Sequence, residues 1–306
     1  MLRRINKGDK IGVIAPAFQP DQVKLDQGLQ YLENMGYTAV KGKSLTAKYG
    51  YLAGDDLLRA NDIHQMFSDP DIAAVICARG GWGCLRLLDK LDFNLIKNNP
   101  KALIGYSDIT TLQLALWNQI KLPSLSGPMA AVEMSQPMDS FTQNHLWNQI
   151  YNTDHSYSLQ FTANMIKIWN HGLAEGTLLG GCLSMVAHLL GTAYSPDYSG
   201  CILFLEDVGE DAYRIDRYLA QLKLSGIFNK INGIILGNFI DPVINVQQDS
   251  FTIKEVLHQY FIDVNYPVIY NFPYGHGNFK FTMPIGSTAI INTSKNKLEV
   301  SNIFNK

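Results

Sequence analysis

Short apolar runs alternate with amphipathic stretches through the first half of the chain. The runs predict strands at residues 10–15, 37–40, 73–78, 102–105 and 123–125. The stretches between them have the apolar spacing of helices, at residues 21–34, 55–67, 83–90 and 108–117. Strand–helix alternation of this kind is typical of a doubly wound, mainly parallel α/β sheet, in which ligands collect at the carboxyl ends of the strands.

The pattern changes after residue 136. Polar, Asn- and Gln-rich sequence at 136–170 indicates a linker region with one helix at 141–150. Beyond it we predict a glycine-bounded helix at 180–191 and strands at 201–205, 233–236, 268–270, 288–291 and 297–300, the last two joined as a hairpin. The chain is therefore predicted to have an amino-terminal domain (1–150), a linker region (151–175) and a carboxyl-terminal α/β domain richer in antiparallel strands (176–306).

Composition narrows the class of protein. The 306 residues are 46% apolar and 17% charged, the profile of a globular enzyme, and the net charge of −2 with scattered Lys and Arg argues against nucleic acid as a partner. No apolar run approaches the roughly 18 residues that a membrane span needs. The run at 11–17 follows polar residues and is as short as one strand, so we expect a first strand and not a signal peptide. The four cysteines form no CxxC pair, which predicts buried free thiols, a cytoplasmic protein and no structural metal.

Ser107 lies between a predicted strand and a predicted helix, in Gly105-Tyr-Ser-Asp. A serine at such a turn projects its hydroxyl from the top of the sheet, and the amide of Asp108 at the helix start is a candidate oxyanion donor. Ile109 stands where the G-x-S-x-G motif has its last glycine. From this segment alone, a helix N-cap remains an open alternative for Ser107.

A glycine-rich segment, Arg79-Gly-Gly-Trp-Gly, follows the third predicted strand. Glycines there let the backbone approach a ligand and present its amides, so Gly81 is a candidate for a second oxyanion donor. Arg79 or Arg86 is a candidate partner for a substrate carboxylate. The segment matches neither the dinucleotide nor the P-loop motif, and a connection without a ligand remains open.

Two further candidates lie in the second half. Glu206 is predicted to end the apolar strand at 201–205, and His276 lies between two glycines in Pro273-Tyr-Gly-His-Gly. Each by itself is typical of a helix cap or a surface histidine. With Ser107 they supply a nucleophile, a base and a carboxylate in the chain order of the α/β-hydrolases.

These segments together resemble the LD-carboxypeptidase family, the serine peptidases of the S66 type. The resemblance covers essentially the whole chain, and it is carried by Gly12-Val-Ile-Ala-Pro-Ala, Arg79-Gly-Gly-Trp-Gly with Arg86, Gly105-Tyr-Ser-Asp-Ile-Thr, Gly127-Pro, Leu205-Glu-Asp and Gly275-His-Gly. It implies a flavodoxin-like amino-terminal domain, a β-rich carboxyl-terminal domain and a homodimer.

The resemblance also implies a mechanism and a substrate. The triad falls on Ser107, Glu206 and His276, and the oxyanion hole on the amides of Gly81 and Asp108. No cofactor is implied. The implied activity is removal of the terminal D-alanine from murein tetrapeptide during cytoplasmic recycling of cell-wall fragments. Trp82 stands where the family more usually has Tyr, which bears on the wall of the substrate pocket.

Two alternatives remain open at this point. A sister group, the microcin C immunity peptidases, shares the triad but cleaves an aminoacyl-adenylate analogue; its chains tend to be longer, so the compact length here favours murein peptide. The alternative from another class is a two-domain binding protein for a sugar or nucleotide. The sequence leaves undetermined whether Lys or diaminopimelate precedes D-alanine, whether the peptide is free or part of a muropeptide, and the geometry of the dimer.

Overall fold

The computed structural model describes residues 2–162, 166–240 and 250–305. The strands of the first half are β1 (Lys10–Ile14), β2 (Thr38–Lys41), β3 (Ile72–Cys77), β4 (Ala102–Gly105) and β5 (Ser124–Ser126). Its helices are α1 (Gln22–Asn34), α2 (Asp56–Ser68), α3 (Phe93–Asn98), α4 (Ile109–Ile120) and α5 (Ser140–Tyr151). Residues 43–45, 84–90 and 133–135 form 3₁₀ turns.

These five strands are parallel and lie in the order β2-β1-β3-β4-β5. This is the strand order of flavodoxin-like sheets, so the predicted fold class is confirmed. β3 is buried along its whole length, as expected for a strand covered by helices on both faces. Ser107 follows β4 and the glycine-rich segment follows β3, so both lie at the carboxyl edge of this sheet.

The second half forms a mixed sheet. Its strands are β6 (Ser156–Gln160), β7 (Lys167–Asn170), β8 (Leu173–Cys182), β9 (Ile202–Val208), β10 (Gly233–Ile240), β11 (Val268–Tyr270), β12 (Met283–Ile285), β13 (Thr288–Asn292) and β14 (Lys297–Ser301). Its helices are α6 (Leu183–Leu189), α7 (Ala212–Leu224) and α8 (Ile253–Phe261), with 3₁₀ turns at 227–229 and 293–295. All of these strands except β12 belong to a sheet of order β6-β14-β13-β8-β9-β10-β11-β7. The predicted hairpin is β13–β14.

The structure departs from two sequence predictions in this half. The segment 180–182, predicted as the start of a helix, is the end of β8. An added Cβ at Gly180 would lie 1.9 Å from the carbonyl oxygen of Phe204, so this glycine permits close strand packing and does not mark a helix boundary. The polar region around 151–175 contains the edge strands β6 and β7, whose half-exposed side chains hide the strand pattern; residues 163–165 of it lie outside the described part.

The two halves are not separate along the chain. β12, from the second half, pairs antiparallel with β5 at the edge of the first sheet. The division of the chain at residues 150 and 176 remains a prediction. β12 lies after this division in the sequence but belongs to the sheet formed by residues before it. Within the described ranges, no helix has the length and apolar character needed to cross a membrane. All four cysteines are buried and unpaired, as predicted.

Candidate active site

Ser107 occupies a strained turn between β4 and α4. Its φ of +64° lies in the left-handed region. A residue other than glycine in this conformation carries a backbone strain energy on the order of 1–3 kcal/mol. Asp108, and not Ser107, is the N-cap residue of α4. The alternative that Ser107 serves as an ordinary helix cap is therefore wrong. The strain instead presents a half-buried hydroxyl at the carboxyl edge of the sheet.

The glycine-rich segment passes directly against this turn. A Cβ added to Gly80 would lie 2.8 Å from Cβ of Ser107 and 3.3 Å from the backbone nitrogen of Asp108. Gly81 has a φ of +119°, and its missing Cβ leaves room for the ring of Phe18. Two backbone segments thus meet beside the Ser107 hydroxyl. Gly80 was not predicted as a site residue, although its place in the Gly-Gly pair was a usable signal.

Buried polar contacts hold the glycine-rich segment in place. The Asp108 carboxylate accepts a hydrogen bond from the backbone nitrogen of Cys84 at 2.8 Å. The guanidinium of Arg59, fully buried, donates to the carbonyls of Gly83 at 3.1 Å and Pro16 at 2.5 Å. The segment is therefore fixed at its far end relative to the Ser107 turn. No motif in the sequence pointed to Arg59.

Burial raises the pKa of the Asp108 carboxyl from 3.8 to about 6. A carboxyl with a raised pKa stabilises the fold while it is protonated, and this contribution is lost as the pH rises through about 6. The native chain loses this contribution as the pH rises, whereas Asp108→Asn does not. We therefore expect the free energy of unfolding of Asp108→Asn, relative to that of the native chain, to increase by roughly 3 kcal/mol from pH 4 to pH 7. Urea unfolding of both proteins across that range measures the difference, and a difference independent of pH would contradict the assignment.

The second part of the site is a hydrogen bond between a buried carboxylate, that of Glu206, and the ring of His276. Glu206 is completely buried, and its Oε2 lies 2.7 Å from Nδ1 of His276 and 3.2 Å from the His276 backbone nitrogen. With Nδ1 engaged by the carboxylate, Nε2 is the nitrogen left to face another group. Gly275 makes this approach possible, since a Cβ there would lie 2.4 Å from Oε2. Glu206 was predicted to end its strand; it lies inside β9, which continues to Val208.

The two halves of the molecule bring these parts together. The ring of Tyr106, the residue before Ser107, meets the His276 ring edge-on with centroids 4.9 Å apart. Beside them, Thr110 on α4 accepts a hydrogen bond from the backbone nitrogen of Cys182 at 3.1 Å. A Cβ at Gly181 would lie 2.3 Å from Thr110 Oγ1, so only glycine permits this contact. The turn that carries Ser107 therefore lies against the loop that carries His276, although the two are far apart in sequence.

The predicted substrate-binding residues lie around the glycine-rich segment. The Arg79 guanidinium stacks over the ring of Phe18 at 5.6 Å, and it forms no ion pair within the described ranges. Arg86 is held by the carboxylate of Asp56, with its Nε 3.0 Å from Oδ1 and its Nη2 3.0 Å from Oδ2. Trp82 is half-buried and packs across to the second half, 6.2 Å from the His188 ring. In the part of the chain that the structure describes, no group of three His, Cys, Asp or Glu side chains is arranged to hold a metal.

Family models match both halves of the chain. The model described as "LD-carboxypeptidase N-terminal domain" matches residues 11–127, and the one described as "LD-carboxypeptidase C-terminal domain" matches residues 175–291. The chain belongs to the LD-carboxypeptidase family. The first match contains Ser107 and the glycine-rich segment, and the second contains Glu206 and His276. The fully buried carboxylate and its histidine thus fall within the range that a peptidase family model matches.

Relatives of this LD-carboxypeptidase cover nearly its whole length. The probable murein peptide carboxypeptidase of Bacillus subtilis is 37% identical over 297 residues, 96% of this chain and 92% of the relative. The crystal structure of muramoyltetrapeptide carboxypeptidase from Oxalobacter formigenes has a TM-score of 0.85 at 30% identity, and it covers 97% of this chain and 100% of that one. The microcin C7 self-immunity protein MccF of Escherichia coli is 27% identical over 324 residues, 96% of this chain and 93% of the relative. The chain is accordingly a carboxypeptidase-family enzyme of the serine peptidase type.

Proposed function

We propose that this protein is a serine carboxypeptidase that releases the terminal D-alanine from murein tetrapeptide by cleaving an L,D-peptide bond. The observation that carries the proposal is the buried Glu206–His276 pair, 2.7 Å apart, held against the turn that presents Ser107. The names of the Bacillus and Oxalobacter relatives support the choice of a murein peptide as substrate.

In the proposed acylation step, His276 Nε2 takes the proton of the Ser107 hydroxyl. The serine oxygen attacks the carbonyl carbon that joins the L-centre of a diamino acid to D-alanine. Glu206 accepts the Nδ1–H hydrogen bond and stabilises the imidazolium that forms. Full burial of this carboxylate strengthens the interaction because little water competes for it.

The tetrahedral intermediate places a negative charge on the former carbonyl oxygen. The backbone amides of Gly81 and Asp108 are the proposed donors to this oxyanion, and the contact of Gly80 with the Ser107 turn supports their proximity. His276 then gives its proton to the nitrogen of D-alanine as the C–N bond breaks. In deacylation, His276 activates a water that attacks the ester, and Ser107 leaves with its proton restored.

A carboxypeptidase must also recognise a free carboxylate. Arg79 is the proposed partner, since its guanidinium lies over Phe18 beside Gly81 and forms no ion pair within the described ranges. Arg86 would have to leave the carboxylate of Asp56 to take this role. Trp82, between the glycine-rich segment and His188, is proposed as part of the substrate-pocket wall.

We also propose that the enzyme acts in the cytoplasm as a homodimer on recycled cell-wall peptides, free or attached to a muropeptide. The support is the family membership together with the compact two-part chain. Apart from the water of deacylation, the proposed mechanism uses only side chains and backbone amides of this chain, and it requires neither nucleic acid nor a membrane.

A second candidate function is hydrolysis of an aminoacyl-adenylate analogue, favoured by the match to the microcin C7 self-immunity protein. The two candidates share a triad and differ in the group beyond the scissile bond. A direct comparison of substrates therefore separates them.

The test is the turnover of the native enzyme on three compounds: a tetrapeptide ending in D-alanine, the same peptide ending in L-alanine, and an aminoacyl-sulfamoyl adenosine. We expect kcat/KM for the D-alanine peptide to exceed that for each of the others by at least about 100-fold. A higher kcat/KM for the aminoacyl-sulfamoyl adenosine than for the D-alanine peptide would assign the immunity-type activity. Binding of the peptide without turnover, by a folded protein, would favour the binding-protein alternative.

A further inference from the structure

Lys280 is a buried cation to which the proposed mechanism gives no role. Its side chain is 1% exposed, and its ammonium contacts three groups. It donates to the carbonyl of Gly275, lies 3.3 Å from Oε1 of Glu133, and sits 3.9 Å from the centre of the Tyr106 ring. A buried charge is stable only where it is paired and hydrogen-bonded, and the Lys280 ammonium meets both conditions.

Glu133 completes the arrangement from the first half of the chain. The Tyr106 hydroxyl donates to its Oε1 at 2.7 Å, and the backbone nitrogen of Met129 donates to its Oε2 at 3.0 Å. Burial and the neighbouring Glu133 raise the pKa of the Tyr106 phenol, so this hydroxyl stays a donor. Both carboxylate oxygens of Glu133 thus accept hydrogen bonds. Its Oε1 contacts both the Lys280 ammonium and the Tyr106 hydroxyl.

These contacts reach both sides of the catalytic centre. Tyr106 directly precedes Ser107, and its ring packs edge-on against His276 at 4.9 Å. Gly275 directly precedes His276, and its carbonyl is the acceptor for Lys280. The ion pair between Lys280 and Glu133 therefore joins the loop of the histidine to the turn of the serine, across the two halves of the molecule.

We propose that Lys280, through its ion pair with Glu133, is a positioning residue that holds the His276 ring between Glu206 and Ser107. It acts on the ring indirectly, by fixing the Gly275 backbone below it and the Tyr106 ring beside it. The inference rests on the proposed function, in which His276 is the general base. Neither Lys280 nor Glu133 contacts the reacting atoms in this scheme.

Two variants and one control test the pair. Lys280→Met removes the ammonium and keeps a straight side chain, whereas Glu133→Gln keeps the shape and removes the opposing charge. Gln149→Leu is the matched control, because Gln149 donates to the carbonyl of Thr282 at 2.6 Å, a buried bond that also joins the two halves but touches neither Tyr106 nor His276.

We expect each variant of the pair to lower kcat by about 10- to 100-fold, the usual cost of a misplaced catalytic group, with KM within about twofold of the native value. The double variant should lose no more than Lys280→Met alone, because the two side chains act as a unit. The control should keep its kcat. All rates are referred to the folded fraction, measured by thermal unfolding, so a loss of stability is not mistaken for a loss of positioning.

A spectroscopic readout decides the proposal without any substrate. The Nδ1 proton of His276, hydrogen-bonded to Glu206, should give a low-field proton resonance in the native protein and in Gln149→Leu. In Lys280→Met and Glu133→Gln it should broaden or disappear, since the ring is no longer held. If native protein shows the resonance but no turnover on tetrapeptide, the proposed function fails and the positioning role is still tested.

The proposal is overturned if both variants fold, retain native kcat and keep the resonance. If Lys280→Met does not fold, Glu133→Gln decides by the same two measurements, because its side chain remains 17% exposed and its volume is unchanged.

Discussion

Ser107→Ala is expected to abolish release of D-alanine from murein tetrapeptide, with a fall in kcat on the order of 10⁶-fold. The substitution removes the oxygen that bonds to the substrate carbonyl carbon in the acylation step of the proposed mechanism. Alanine accepts the φ of +64° at about the same cost as serine, so the fold should be retained. Mass spectrometry of the tripeptide product, with an enzymatic assay for free D-alanine, measures the loss.

The matched control is Ser68→Ala. Ser68 ends α2, and its hydroxyl donates to the carbonyl of Gln65, with no contact to the site. This variant should retain native turnover. Undiminished release of D-alanine by Ser107→Ala would remove Ser107 from the mechanism, and with it the assignment of the strained turn as a nucleophile turn.

Glu206→Gln is expected to give the second largest effect, a fall in kcat of about 10³- to 10⁴-fold. An amide offers a donor as well as an acceptor, so it can hold the His276 ring in the wrong tautomer, and it cannot stabilise the imidazolium. Because the side chain is completely buried, water does not replace the lost charge. Steady-state kinetics on the tetrapeptide give kcat and KM, and KM should change little.

Asp207→Asn provides the control for this variant. Asp207 is the next residue of β9, and burial together with Glu206 raises its pKa to about 6. Its carboxylate accepts from the backbone nitrogen of Ser184 at 2.8 Å and is not the partner of His276. This variant should keep most of its turnover. Equal losses in both variants would mean that charge in β9, and not the Glu206–His276 hydrogen bond, supports activity.

Local patterns were enough to predict the five parallel strands of the first sheet, but not β12 at its edge. The limits of β4 were predicted as the structure has them, and β1, β3 and α4 were placed to within a few residues. These elements are regular because each strand is buried between helices and so reads as a short apolar run. The edge strands β6 and β7 are half-exposed and lack that run, which is why they were read as a linker.

The glycines show where local patterns mislead. Gly180 and Gly181 were predicted to mark the start of a helix. In the structure they lie in β8, where Gly180 allows the close approach of β9 and Gly181 that of α4. Glu206 read as the end of a strand because a charged residue follows five apolar ones. It stays within β9 because His276, from another part of the chain, supplies the partner that a buried carboxylate needs.

The sequence by itself predicted the class of fold and a serine turn between a strand and a helix, because these depend on residue types and on spacing within short segments. The candidate triad came from the resemblance of several separate segments to one family. Only the tertiary structure decided that Gly80 adjoins Ser107, that Arg59 braces the glycine-rich segment and that Lys280 joins the loop of His276 to the turn of Ser107. These contacts join residues distant in the chain through packing of the two halves. No periodicity along the sequence records which buried groups will meet.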